Sequence, residues 1–160
     1  MQGEHIGIVI GRFQPFHFGH IWLIQKALEK FEKVIILIGS SNKNDSNNPW
    51  SLDMRKQMLH KFVQEQNLEN RIIKISELKD LPDDNEWFNL VIEKIGTNNF
   101  TIVGDNEWVN QIFEAKGYEV FRIGYYNRDV YEGTKIRELF HHKKDLKKSV
   151  PSYVVSILEN

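Results

Sequence analysis

Residues 6–20 read IGIVIGRFQPFHFGH. The stretch opens with Ile6–Ile10, which is apolar at nearly every position, as is typical of a β-strand covered on both faces in a parallel sheet. Beyond the turn that follows, apolar residues recur at helical spacing, at Ile24, Ala27, Leu28 and Phe31. The stretch therefore predicts a strand, a turn rich in polar groups and a helix that begins near Phe18.

The alternation of strand and helix continues along the chain. Runs rich in Ile and Val predict further strands at 34–38, 72–75 and 100–103, and a weaker one at 118–123. Helical spacing in between predicts helices around residues 54–62 and 87–95. Such alternation is typical of right-handed βαβ units, so we expect an α/β fold, a Rossmann-like doubly wound parallel sheet with helices on both faces. Ligands of such sheets bind beyond the carboxyl ends of the strands.

Composition limits the possible functions. The chain has 160 residues without repeats or a biased linker, and we expect a single domain over residues 1–160. A net charge of -1 provides no global field for nucleic acid or an anionic membrane. The absence of cysteine excludes a disulfide scaffold and fits a reducing compartment. Because the sequence also shows neither a signal peptide nor a membrane span, we expect a cytoplasmic protein.

Two polar segments predict features at the surface of the protein. Residues 40–48 are almost all Ser, Asn, Lys and Asp, too polar for a core, and predict a mobile lid or a binding loop. The lysines that follow His142 indicate a solvated helix face.

His17 and His20 are the first candidates for chemistry. Neither a G-x-G-x-x-G fingerprint nor a G-x-x-x-x-G-K-[ST] phosphate loop occurs in the sequence. A phosphate would therefore have to be bound by other groups. A helix that begins near Phe18 points free backbone N–H groups beyond the strand, and the two imidazoles project to the same end. This arrangement predicts an anion site. The alternative is that His20 continues the apolar stripe as a hydrogen-bonded core histidine.

A second candidate segment, residues 127–137, reads NRDVYEGTKIR and precedes a short helix with Ile136 and Phe140 on one side. Lys135 and Arg137 fall in the first helical turn, where cations oppose the helix dipole by some tenths of a kcal/mol to about 1 kcal/mol each. A bound polyphosphate would reverse the sign of that interaction. By charge alone, Arg137 suits a phosphate site and a surface ion pair equally well.

Gly11–His20 resembles the H-x-G-H signature of the nucleotidylyltransferase superfamily, and the letters GRFQPFH are similar to those of the archaeal-type nicotinamide-nucleotide adenylyltransferases. Residues 127–137 resemble the second signature of that family, S-G-T-x-I-R, with Glu132 in place of the serine. The resemblance spans almost the whole chain, to Pro151. It implies a reaction of ATP with nicotinamide mononucleotide that gives NAD and pyrophosphate, with Mg²⁺ arriving on ATP.

The resemblance also implies which residues form the site. The catalytic residues are His17, His20 and Arg137. ATP is bound by Gly11, Arg12, Phe13, His17, His20, Asn127, Arg128, Tyr131, Gly133, Thr134 and Arg137. The mononucleotide is bound by Phe13, Gln14, Ser40, Asp80, Trp87, Asn106 and Arg128, with the ring of Trp87 stacked on the pyridinium. No protein ligand for a metal is expected.

Some of these roles have alternatives. Trp87 also suits a core position with Val91 and Ile95, Asn106 a loop cap and Arg128 a surface charge. Asp80 favours the amide as acceptor, since its carboxylate would repel nicotinate. For the function, the alternatives are nicotinate mononucleotide as the main acceptor and a nucleotide sensor without turnover. ATP and the mononucleotide are the expected partners, and the family makes a homo-oligomer plausible.

Overall fold

The computed structural model describes residues 3–124 and 131–159. Within them, five strands form one parallel sheet in the order β3-β2-β1-β4-β5. The strands are β1 (Ile6–Gly11), β2 (Lys33–Ile38), β3 (Ile72–Glu77), β4 (Phe100–Val103) and β5 (Glu119–Phe121). The helices are α1 (Phe18–Lys30), α2 (Leu52–Glu65), α3 (Asp84–Ile95), α4 (Glu107–Ala115), α5 (Gly133–His141) and α6 (Ser152–Leu158). The expected α/β fold is confirmed.

Alternation along the central strands creates a core on each face of the sheet. Neighbouring residues of a strand point to opposite faces, and Val9 and Ile36 belong to one apolar cluster while Ile8 and Ile35 belong to the other. The first cluster includes residues from α1, α2, α5 and α6, and the second includes residues from α3 and α4. Both faces of the sheet are therefore covered, which explains why β1 and β2 are apolar at nearly every position.

The topology places a binding site. The chain runs outward from β1 through β2 to β3 and then crosses to β4 on the other side of β1. This reversal leaves a crevice beyond the carboxyl ends of β1 and β4, where open α/β sheets bind their ligands. No helix among the described residues is long and apolar enough to cross a membrane.

The structure corrects one expectation for the polar segments. Residues 143–148 do not form a helix face, because α5 ends at His141 and Lys143 adopts a left-handed φ of 54° that stops the helix. The segment 40–48, for which the sequence allows a mobile lid or a binding loop, contains a hydrogen-bonded turn. Ser40 and Asn48 are buried at its two ends, and Asp45 pairs with Asn48 in an isolated β-bridge. Only the middle of this segment is exposed.

Candidate active site

Two adjoining cavities lie beyond the carboxyl ends of β1 and β4. The larger has a volume of about 360 Å³ and includes Gly11, Arg12, Gly104 and Thr134 in its wall. The smaller has a volume of about 230 Å³ and includes His17, Gly19, Trp22 and Tyr131. The two share five residues, which are His20, Leu23, Asp105, Glu132 and Gly133. They form one groove, which runs from the start of α1 to the start of α5.

The two histidines meet at the start of α1. Their ring centroids are 3.7 Å apart in a stacked arrangement. The backbone N–H of His17, the N-cap residue, donates to Nδ1 of His20 at 3.2 Å. Since Nδ1 of His20 accepts this bond, a neutral His20 carries its proton on Nε2, where it can donate to a ligand oxygen. Nδ1 of His17 is buried and has no hydrogen-bond partner among the described residues.

Burial keeps both imidazoles neutral. Burial first, and then the charge of Arg137, lowers the pKa of His17 from 6.5 to about 3. Burial, and then the neighbouring His17, lowers the pKa of His20 well below 6.5. Both rings are therefore uncharged hydrogen-bonding groups at neutral pH, and the positive charge of the site comes from arginines.

Arg137 is fixed at the start of α5. Its guanidinium donates to the carbonyl of Gln14 at 2.7 Å and to Oγ1 of Thr134 at 3.2 Å. The side chain is 6% exposed, so the alternative of a surface ion pair does not apply. A Cβ on Gly133 would come within 2.9 Å of this guanidinium, which accounts for glycine at that position. Burial, and then the charge of Arg12, lowers the pKa of Arg137.

Arg12 is the exposed cation of the groove. Its guanidinium donates to Oδ1 of Asn48 at 3.2 Å, and Asn48 is in turn fixed by four hydrogen bonds to Asp45. The polar loop after β2 therefore fixes the orientation of the Arg12 side chain. Arg12 and the two neutral imidazoles line the groove, and the buried guanidinium of Arg137 lies against Thr134, which also lines it. This combination is suited to phosphate oxygens.

The structure brings together most of the residues expected to bind ATP. Gly11, Arg12, His17, His20, Tyr131, Gly133 and Thr134 line the groove. Phe13 is 1% exposed and packs edge-on against His20, with ring centroids 4.7 Å apart. Its φ of 55° turns the chain sharply after β1. Asn127 and Arg128 lie outside the described residues.

Fewer of the residues expected to bind the mononucleotide line the groove. Gln14 is 2% exposed, and its amide both donates to and accepts from the backbone of Trp50 at 3.0 Å. Its side chain therefore holds the start of α2. Asn106 lines the groove, but its side chain accepts from the N–H of Val109 and so caps α4, which was the alternative role predicted for it. Ser40 donates to both carboxylate oxygens of Asp80, at 2.9 and 3.1 Å, and neither residue lines the two described cavities.

Trp87 lies in the core, which was the alternative to a position against the pyridinium. The ring is 3% exposed, belongs to the cluster with Val91 and Ile95, and lies 4.7 Å from the half-exposed ring of Trp108. No face of Trp87 is open to a ligand in this structure. Stacking on the pyridinium stays a prediction, and it would require Trp108 to move.

Sequence reasoning missed several groove residues. Leu23 and Asp105 line both cavities, and Asn48 holds Arg12. Asp105 lies in the loop that follows β4, beyond the carboxyl end of that strand, where the topology places ligands. Within residues 3–124 and 131–159, no three His, Asp or Glu side chains are close enough together to hold a metal ion.

Fold and groove together define an α/β nucleotide-binding domain with a groove rich in hydrogen-bond donors at its topological switch point. The chain belongs to the cytidylyltransferase-like family, whose model matches residues 8–156. It is 35% identical to a nicotinamide-nucleotide adenylyltransferase of Methanococcus aeolicus over 95% of this chain and 87% of that protein. It is 32% identical to nicotinamide-nucleotide adenylyltransferase 1 of Sulfolobus acidocaldarius over 92% of this chain and 87% of that protein.

A solved structure agrees with the sequence comparisons. The fold is similar to that of a bifunctional NMN adenylyltransferase/ADP ribose pyrophosphatase from Francisella tularensis, crystallised with AMP and a manganese ion. The TM-score is 0.79 at 26% identity, and the match covers 99% of this chain and 50% of that one. This chain therefore spans half the length of the bifunctional protein.

Proposed function

We propose that this protein is an adenylyltransferase that joins ATP and nicotinamide mononucleotide to give NAD and pyrophosphate. The observation that carries this proposal is the pair of stacked histidines at the start of α1, 3.7 Å apart and facing the groove that Arg12 and Gly133 also line. Relatives that are 32–35% identical over more than nine-tenths of this chain bear the name of that activity. This combination favours catalysis over a nucleotide sensor without turnover.

The reaction needs no protein nucleophile. A phosphate oxygen of the mononucleotide, already ionised at neutral pH, attacks the α-phosphorus of ATP, and the bond to the β-phosphate bridging oxygen breaks. The electron pair leaves with pyrophosphate. Catalysis therefore depends on alignment of the two phosphates and on stabilisation of the charge that develops on the transferring and leaving groups.

The residues of the groove suit these two tasks. His20 donates from Nε2 to an oxygen at the reacting phosphorus, and His17 stacks on it and keeps it in place. Arg12 and Arg137 neutralise the triphosphate, and the first backbone N–H groups of α5 face the same groove. Ser40 and Asp80 receive the nicotinamide end of the acceptor, where the carboxylate of Asp80 accepts from the amide.

Magnesium belongs to the substrate in this proposal. Mg²⁺ arrives bound to the phosphates of ATP and keeps most of its water ligands, so it requires few groups from the protein. A cytoplasmic location is also part of the proposal, and the absence of cysteine supports it. Size-exclusion chromatography with light scattering tests whether the chain assembles as a homo-oligomer, as the family resemblance implies.

The test is an assay of purified protein with ATP and Mg²⁺ and one of three acceptors, which are nicotinamide mononucleotide, nicotinate mononucleotide and phosphopantetheine. Pyrophosphate and the adenylylated product are both measured. We expect the highest kcat/KM with nicotinamide mononucleotide. A higher value with nicotinate mononucleotide would refute the role of Asp80, and ATP binding without turnover on any acceptor would favour the sensor.

A further inference from the structure

Arg55 is the largest fully buried side chain among the described residues, with an exposure of 0%. Its guanidinium donates to backbone carbonyls alone. The acceptors are Arg12 at 3.0 Å, Gly39 at 2.9 Å, Ser51 at 3.4 Å and Ser40 at 3.5 Å. No carboxylate of the described residues forms an ion pair with it. Burial, and then the charge of Arg12, lowers the pKa of Arg55.

A buried cation without a counter-ion is unfavourable for folding alone. Carbonyl dipoles replace part of its lost hydration, and the guanidinium in turn satisfies carbonyls that an apolar side chain would leave without this donor. The neighbouring positions Met58, Leu59 and Phe62 of α2 are filled by such apolar side chains. A requirement other than core packing therefore favours arginine at position 55.

The acceptors of Arg55 show what that requirement is. Arg12 lies in the loop after β1, and Gly39 and Ser40 lie in the loop after β2. One planar group thus joins the two loops at the carboxyl ends of the central strands. Each loop presents a different group: Arg12 faces the groove, and Ser40, at a φ of 50°, donates to Asp80.

We propose that Arg55 is a positioning residue that sets the distance between the triphosphate site at Arg12 and the acceptor site at Ser40 and Asp80. This inference rests on the proposed function, since it takes the two loops as the places of the two substrates. Arg55 touches neither substrate. It acts through the backbone of the residues that do, and it therefore affects how well ATP and the mononucleotide are aligned.

Arg71, which is half-buried and also pairs with Glu32, provides a control of the same residue type. It also donates to three backbone carbonyls, those of Leu28 at 2.7 Å, Phe31 at 3.1 Å and Glu32 at 2.7 Å. These acceptors lie where α1 ends and β2 begins, at the edge of the sheet opposite the groove. Asn48 provides a second comparison, because it accepts a hydrogen bond from the side chain of Arg12 and forms none with Ser40.

The experiment compares Arg55→Lys, Arg55→Gln, Arg71→Gln and Asn48→Ala with the unchanged protein. An ammonium cannot reproduce a planar fork that spans two loops, so Arg55→Lys tests geometry with the charge retained. KM for ATP, KM for the mononucleotide and kcat are measured, with the Kd for ATP alone by calorimetry. We expect both Arg55 variants to lower kcat/KM on the order of 10- to 100-fold and to raise both KM values. Asn48→Ala should raise KM for ATP alone.

Arg71→Gln should lose stability and keep the kinetic constants of the unchanged protein. The inference is overturned if Arg55→Lys, folded by circular dichroism, keeps both KM values, or if Arg71→Gln changes them as much. If Arg55→Gln does not fold, Arg55→Lys decides. If the unchanged protein makes no NAD, the proposed function fails, and an unaltered Kd for ATP in Arg55→Lys then separately refutes positioning of the Arg12 loop.

Discussion

His17 and His20 stack with ring centroids 3.7 Å apart. At this distance two imidazolium ions would repel each other. Because both pKa values are lowered, the rings meet as neutral groups. His20 then donates from Nε2, since its Nδ1 already accepts the N–H of His17. The pair therefore offers the groove a fixed hydrogen-bond donor and does not contribute a formal charge.

Replacement of His20 by alanine removes that donor. We expect kcat to fall about 100- to 1000-fold, the magnitude typical of a lost transition-state hydrogen bond. The fold should persist, because the ring packs beside Phe13 and Phe16 without being part of a strand. His60→Ala, on the exposed side of α2, is the control. Turnover near normal in a folded His20→Ala protein would refute the catalytic role.

The lowered pKa of His17 also predicts how stability changes with pH. Its folded pKa of about 3 lies below the ordinary value of 6.5, so the unfolded chain binds a proton more readily. The free energy of unfolding of the ligand-free protein should therefore decrease as pH falls from 6.5 towards 3. Within that interval His17 contributes a slope of about 1.4 kcal/mol per pH unit.

Urea denaturation at a series of pH values measures this slope. We expect His17→Gln to show a shallower pH dependence than the unchanged protein, whatever its absolute stability, since glutamine does not titrate. His60→Gln should retain the original slope. Equal slopes for all three proteins would show that His17 is not a buried neutral base.

At the scale of elements, the start of α1 depends on Gly19. Alanine in place of a helical glycine ordinarily stabilises a helix by about 1 kcal/mol. Here the new Cβ would lie 2.8 Å from Cε1 and 2.9 Å from Nδ1 of His17. The imidazole must therefore move, and with it the partner that stacks on His20.

We expect Gly19→Ala to lower kcat/KM about 10- to 100-fold, through displacement of His17, with little loss of stability. The control is Gln25→Ala on the exposed face of the same helix, which should leave both properties unchanged. Kinetics and thermal denaturation of the two variants provide the comparison. Normal kinetics for Gly19→Ala would mean that the position of the His17 ring is unimportant.

Local pattern explains which elements the sequence could predict. β1, β2 and β4 are buried on both faces, and their apolar runs matched the structure within a residue or so. α6 was not predicted because it spans only 7 residues, and so short a helix depends on packing more than on its own pattern. α4 was missed although Val109, Ile112 and Phe113 recur at helical spacing. Arg55 left a readable signal, a charge on the same face of α2 as Met58, Leu59 and Phe62. Its hydrogen bonds to residues 12 and 39 required the tertiary structure.

At the scale of the whole molecule, cations gather at one edge of a sheet in a chain whose net charge is -1. The charge of Arg12 lowers the pKa of both Arg55 and Arg137, after burial as the larger cause. Arg12 therefore repels the two buried guanidinium groups, and Glu132 offsets only part of this repulsion at Arg137, while Glu107 and Glu114 are paired with Arg122 elsewhere. A polyanion in the groove would relieve this repulsion.

ATP should therefore stabilise the fold mainly through its phosphates. Binding at about 100 times Kd adds about 2.7 kcal/mol to the free energy of unfolding, or roughly 5–10 °C in Tm for a chain of this size. Thermal denaturation with ATP and Mg²⁺ should show this shift, whereas adenosine at the same concentration should give almost none. Arg137→Gln should lose most of the ATP shift, because its guanidinium at the start of α5 is one of the groups that the triphosphate would neutralise. Equal shifts with ATP and adenosine would place the binding energy in the nucleoside and contradict the assignment of the groove as a phosphate site.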